Sequence, residues 1–203
     1  MVDTIRGVTS PDIAPSVPTS ITELAVSCVR FVHASVGFEL DFTHETLPLL
    51  DHYLVGARAE MEARPEAVPL LAQSMGAYFG QVLAAELTGF WRVPTVDPHH
   101  WLVCLQPVFV AVNPVGVSYD LLFRGGRHDG PSPALLLARQ DREIVESRLN
   151  GLPLEQEDDY FSFGTRFDAI NIAVEALAGQ MHEAGLQDVT FDAGDYVEEF
   201  DLD

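Results

Sequence analysis

The chain contains no lysine. All 11 of its basic side chains are arginine, set against 31 acids, for a net charge of −20 over 203 residues. Without lysine there is no Schiff-base chemistry, no lysine general base and no phosphate-loop lysine. The shortage of positive charge as a whole speaks against tight nucleic-acid binding, which draws on clustered Lys and Arg to release counterions. It also opposes binding to an anionic membrane surface. Cysteine is almost as scarce. Cys28 and Cys104 are the only two, and a lone pair far apart in sequence is no disulfide framework. No apolar run reaches the roughly 20 residues needed to span a bilayer. The first twenty residues, with Asp3, Pro11, Asp12, Pro15 and Pro18, have neither the basic start nor the apolar stretch of a secretory signal. A cytoplasmic protein is the expectation.

Hydrophobic residues make up 47% of the chain, ample for a real core in one domain of ordinary size. Residues 1–18, rich in Ser, Thr and Pro, read as a disordered leader. Residues 19–185 then show mainly helical periodicity. Ser20 and Glu23 have capping-box spacing, and Ile21, Leu24, Cys28, Val32 and Val36 recur at three or four residues until Gly37. A second helix fits 45–63, with Thr43 as its N-cap and Pro65 as its breaker. In a third, over 66–87, Ala72, Gly76, Gly80 and Ala84 fall at i, i+4 spacing, a small-residue stripe that lets another backbone approach closely. Each mid-helix glycine costs about 1 kcal/mol relative to alanine, so tight packing has to offset it.

From Phe90 the pattern shortens to β-like runs at 90–93, 101–105 and 108–112, separated by Asp97-Pro98 and Gln106-Pro107, which read as a small antiparallel sheet. Asn113-Pro114 has the cap-and-proline signature of a helix start, and the same signature at Ser132-Pro133 predicts a helix to about Asn150. A last long helix is expected from Asp158 or Gly164 to Glu183, closed by Gly185. The fold class that follows is α+β: a mainly helical single domain with a small antiparallel sheet.

The charge is not evenly spread. From Glu155 onward, 49 residues hold 14 acids against Arg166 alone, a net of −13. Residues 186–203 form an acidic segment in which Phe191, Tyr196 and Phe200 alternate with Asp192, Asp195, Glu198 and Glu199. Three readings apply to it: a solvated tail, a docking segment for a basic, apolar groove, or an edge strand over 188–192. As a contact surface it would use Phe191, Asp195, Tyr196, Glu198, Glu199 and Phe200.

Motifs for chemistry are missing. His99-His100 with His128 lack the spacing of a zinc site. Gly116-Val-Ser-Tyr-Asp120 departs from G-x-S-x-G at its last position. The two cysteines fall on apolar faces, where thiols are inert. Asp188, Asp192 and Asp195 do not form a calcium loop. No catalytic residue, metal or cofactor is therefore assigned.

One resemblance runs through the middle of the chain. Leu40-Asp-Phe-Thr-His-Glu-Thr-Leu-Pro-Leu-Leu-Asp-His-Tyr-Leu54, then Gly76-Ala-Tyr-Phe-Gly-Gln-Val-Leu83, Gly89-Phe-Trp91, a strand pair and Asn113-Pro114 follow one another in order. This order resembles a group of uncharacterised bacterial proteins in which a G-A-Y-x-G-E-x-L helix precedes a tryptophan-containing strand and a proline-started helix. The resemblance covers about residues 38–124 and implies a fold class. Gln81 stands where the group has glutamate, and no activity travels with it.

The leading expectation is a non-enzymatic protein acting by protein–protein contact, regulatory or scaffolding, with a basic surface on its partner. An enzyme or small-ligand binder with a pocket between the GAYFG helix and the sheet, walled by Tyr78, Trp91 and Trp101, is the alternative. A third reading is an immunity-type protein or nucleic-acid mimic that neutralises a cationic partner.

Overall fold

In a computed structural model, which describes residues 17–61, 63–151 and 160–202, the chain is a mainly helical α+β domain. Of the expected leader, residues 1–16 lie outside the described residues, and Pro18 caps the first helix. The α-helices are α1 (Thr19–Val36), α2 (Leu47–Met61), α3 (Val68–Glu86), α4 (Pro114–Phe123), α5 (Arg142–Leu149), α6 (Phe163–Glu183) and α7 (Ala193–Phe200). The strands are β1 (Gly89–Arg92), β2 (Leu102–Leu105), β3 (Val110–Val112) and β4 (Leu136–Leu137), antiparallel in sequential order. Their register pairs Trp91 with Val103, Cys104 with Ala111 and Ala111 with Leu136.

Several boundaries follow from local chemistry. Gly37 ends α1 in the left-handed region, φ 83°, with its N–H donating to the His33 carbonyl. Asn113 caps α4: its Oδ1 accepts from the Gly116 N–H at 2.9 Å, and Pro114 occupies the first turn, where its missing N–H leaves nothing unpaired. Ser20 is not a cap, because α1 begins a residue earlier at Thr19 and its cap is Pro18. Thr43 forms no side-chain cap either. The Glu86 carboxylate takes that work, accepting from the His44 N–H at 2.7 Å, while Asp41 Oδ1 braces the turn by accepting from the Thr43 N–H, the Thr43 hydroxyl and the Thr46 hydroxyl.

The helix expected over 132–150 is shorter. Pro133 biases Ser132 toward extended backbone, and the apolar run Leu135-Leu136-Leu137 supplies β4, which pairs with the otherwise open edge of β3. The helix then starts only at Arg142.

Strand side chains alternate between two cores, as a two-residue period requires. Trp91, Val103, Leu105, Val110 and Val112 enter the large core with α1–α6, whereas Phe90, Leu102, Cys104 and Ala111 face a smaller second core. Burial on both faces explains why the strands read as continuous apolar runs. The small-residue stripe on α3 works as expected. A Cβ on Gly76 would stand 2.7 Å from the Val115 Cα, and one on Gly80 would stand 2.2 Å from the Trp91 ring, both far inside contact distance. So α4 packs backbone to backbone on Gly76, and the Trp91 indole fills the notch at Gly80.

One half-buried carboxylate ties α2 to α6. Asp51 accepts from the N–H groups of Phe163 (2.6 Å) and Gly164 (3.2 Å), the first donors of α6, at the helix end that favours negative charge. Burial nevertheless outweighs those donors and pushes its carboxyl up to about 6.

Candidate functional site

The acidic C-terminal segment is fastened to the outer face of the sheet. Its entry is fixed by the Phe191 N–H donating to the Gln106 carbonyl at 3.2 Å. Asp192 then caps α7, accepting from the N–H groups of Gly194 and Asp195, while the Asp195 carboxylate accepts from the Asp192 N–H, a reciprocal capping box.

Four residues past the cap comes Tyr196, fully buried. Its hydroxyl lies 2.7, 2.8 and 2.9 Å from the carbonyls of Leu105, Val108 and Val110, and accepts from the Val110 N–H at 3.1 Å. One phenolic proton serves three carbonyl acceptors in the turn between β2 and β3. Burial raises its pKa far above the ordinary phenol. Phe109 packs against Phe191, Tyr196 and Phe200, with ring centroids 4.2, 4.8 and 5.8 Å away. The residues expected as one contact set are therefore divided. Tyr196 is a sheet anchor out of reach of any partner, Phe191 and Phe200 are half-buried on the second core, and Asp195, Glu198 and Glu199 point to solvent. No strand forms over 188–192.

Beside α7 lies a groove of about 490 Å³, walled by Phe109, Leu177, Met181, Leu186 and Phe191. Asp141 and Glu199 both line it. Burial first, and the Glu199 charge second, raise the Asp141 carboxyl above the ordinary range. Sequence reasoning misses Asp141, Leu177 and Met181. They lie on other elements, and nothing local marks them as neighbours of α7.

The three aromatic residues expected to wall a pocket between α3 and the sheet are each engaged separately. Tyr78 is buried, with its hydroxyl accepting from the Phe42 N–H at 3.0 Å and bonding Thr46 Oγ1 at 2.9 Å. Trp91 occupies the Gly80 notch. Trp101 donates its indole N–H to the Thr95 carbonyl at 2.9 Å. The Trp91 ring thus fills the Gly80 notch, whereas Trp101 lines an open groove of about 700 Å³ with Gln73 of α3, Val93 and residues of α1. Gln81 leaves its buried Nε2 without an acceptor among the described residues.

His99 is bonded at both ring nitrogens, Nδ1 to Asp97 Oδ1 at 2.8 Å and Nε2 to the Asp129 carbonyl at 3.2 Å. Among the described residues no three His, Cys, Asp or Glu side chains gather around a common point that would suit a metal ion. Both thiols are buried, and desolvation pushes Cys104 up to about 12 and Cys28 higher still. No helix among the described residues is long and apolar enough to cross a membrane. Comparison with protein-family models, with curated proteins and with solved structures finds no match.

Proposed function

We propose that the chain is a non-enzymatic protein-binding module whose contact surface is the outward side of α7 with the groove beside it. Its partner presents basic side chains on an apolar face. The observation that carries this reading is the pair Asp141 and Glu199, two carboxylates lining one apolar groove, where the Glu199 charge adds to burial in raising the Asp141 carboxyl. An arginine or lysine of a partner entering the groove would relieve that repulsion while its stem, or an apolar neighbour, covers Leu177 and Met181. Glu198 and Asp195 extend the negative surface along α7 and would steer a cationic partner toward it.

Peptides test this directly. A helical peptide alternating Arg and Leu, an otherwise identical one with Glu for Arg, and an Arg/Gly peptide without apolar side chains are titrated against the intact chain. The Arg/Leu peptide is expected to bind saturably and to weaken with salt, and Asp141→Arg with Glu199→Arg is expected to abolish its binding. Equal binding of all three peptides, or indifference to the double charge reversal, would sink the reading.

A further inference from the structure

We propose that a second cavity, between α4, α5 and α6, is a binding site for a small molecule with an apolar body and a neutral carboxamide-type head. The cavity has a volume of about 580 Å³, within the roughly 300–1,000 Å³ typical of small-molecule sites. Its walls include Val117, Leu135, Leu149 and Ile170, and Asp120 and Arg166 are the charged side chains among its polar lining.

Those two side chains form an ion pair that is only 14% and 17% exposed. Arg166 Nη2 donates to Asp120 Oδ2, Nη1 donates to the Tyr160 hydroxyl at 3.1 Å, and the Tyr160 ring lies over the guanidinium at 4.1 Å. The pair is incompletely satisfied. A guanidinium has five N–H bonds, of which these contacts use two, and the buried Nε–H has no acceptor among the described residues. No donor among the described residues reaches Asp120 Oδ1.

A buried ion pair offsets its desolvation only when its remaining donors and acceptors find partners. An unfinished one lining a cavity marks a place where a ligand completes the set.

The chemistry of the ligand head follows from the pair. Its net charge is zero, so neither sign of ion is favoured by the local field. A carboxylate placed there would meet Asp120, and an ammonium or amidinium would meet Arg166. What the pair presents is an acceptor, Asp120 Oδ1, beside unused N–H donors on Arg166. A primary carboxamide, lactam or urea offers the matching donor and acceptor in one plane without charge, and the apolar walls take the rest of the molecule. This site is separate from the α7 groove and does not depend on the reading given to that groove.

The test is an amide-resolved NMR titration of the intact chain with three single-ring probes of nearly equal size: benzamide, benzoate and benzamidine. Benzamide is expected to shift resonances of Val117, Leu135, Thr165 and Ile170 saturably, with an affinity about ten-fold or more above that of either charged probe, the difference one unpaired buried group makes. Ala169→Phe, which adds a ring to the cavity wall and leaves the ion pair in place, is expected to abolish the shifts while the rest of the spectrum stays folded. Asp120→Asn frees the Arg166 charge and is expected to move the preference from benzamide to benzoate. No saturable shift at these residues with any probe would overturn the site. Benzoate or benzamidine binding to the unaltered chain as well as benzamide would overturn its chemistry. If a variant does not fold, the three probes on the unaltered chain still decide between these outcomes.

Discussion

The two faces of the four-stranded sheet are closed in different ways. On the inner face, Trp91, Val103, Leu105, Val110 and Val112 join a core shared with six helices, and close approach is achieved by removing side chains, as at Gly76 and Gly80. On the outer face the buried set is Phe90, Leu102, Cys104, Ala111 and Tyr196, and the cover is a single eight-residue helix whose exposed side is acidic. An eight-residue helix is too short to be stable alone in water. It is held by a cap, a ring of aromatic contacts and one hydroxyl bonded to the sheet. The inner face therefore depends on packing of shape against shape, and the outer face on one anchoring residue. Charge that would repel an unanchored tail is instead displayed on a fixed surface.

The largest effect that separates the faces is expected at Trp91. Trp91→Ala leaves an empty notch beside Gly80 and removes a buried aromatic from the main core, at a cost of about 3–5 kcal/mol, read as a fall in global stability by chemical denaturation. Gly80→Ala attacks the same contact from the other side. The new methyl needs the indole to move, costing about 1–3 kcal/mol, against which the better helix propensity of alanine returns at most about 1 kcal/mol. On the outer face, Tyr196→Phe keeps the ring and removes only the hydroxyl, leaving the carbonyls of Leu105, Val108 and Val110 short of their shared donor, while the Val110 N–H keeps the Val108 carbonyl at 3.0 Å. A cost of about 1–3 kcal/mol is expected, concentrated in hydrogen-exchange protection of α7 and the turn between β2 and β3.

The smallest effect concerns pH. Asp51 has its folded pKa raised to about 6 from an ordinary 3.8, so the folded chain holds the proton more tightly than the unfolded one between those values. Stability from this group rises as pH falls from above 6 toward 4, and relief of the −20 net charge acts in the same direction. A Tm that increases from pH 7 to pH 5, less steeply in Asp51→Asn, is the expected outcome.

Local chemistry is legible in the sequence and long-range chemistry is not. Gly37, the Asn113-Pro114 start and the α3 stripe work by contacts that neighbouring residues or a strict spacing announce. β4 is hidden because the Ser132-Pro133 signature is shared by helix starts and extended segments, and only the open edge of β3 decides between them. Tyr196 stands out in the sequence as one of several aromatic residues among acids, yet its role rests on carbonyls at positions 105, 108 and 110. A local signal does exist. Asp192 and Asp195 have capping-box spacing, with Phe191 and Tyr196 at the two positions of a hydrophobic staple, which together announce an amphipathic helix in place of a tail. Asp120 and Arg166 carry no such mark, because only the packing of α4 on α6 brings them together.

Cys28 lies in the main core and Cys104 in the outer one, and both are fully buried. The thiols therefore report separately on the two faces, and native-state labelling with a thiol reagent, followed by mass spectrometry at each site, tests the central claim. If α7 is a layer clamped by Tyr196, Tyr196→Phe will raise the labelling rate of Cys104 by about ten-fold or more, the kinetic image of a lost hydrogen bond, and leave Cys28 unchanged. Equal acceleration at both cysteines, or none at Cys104, would contradict it.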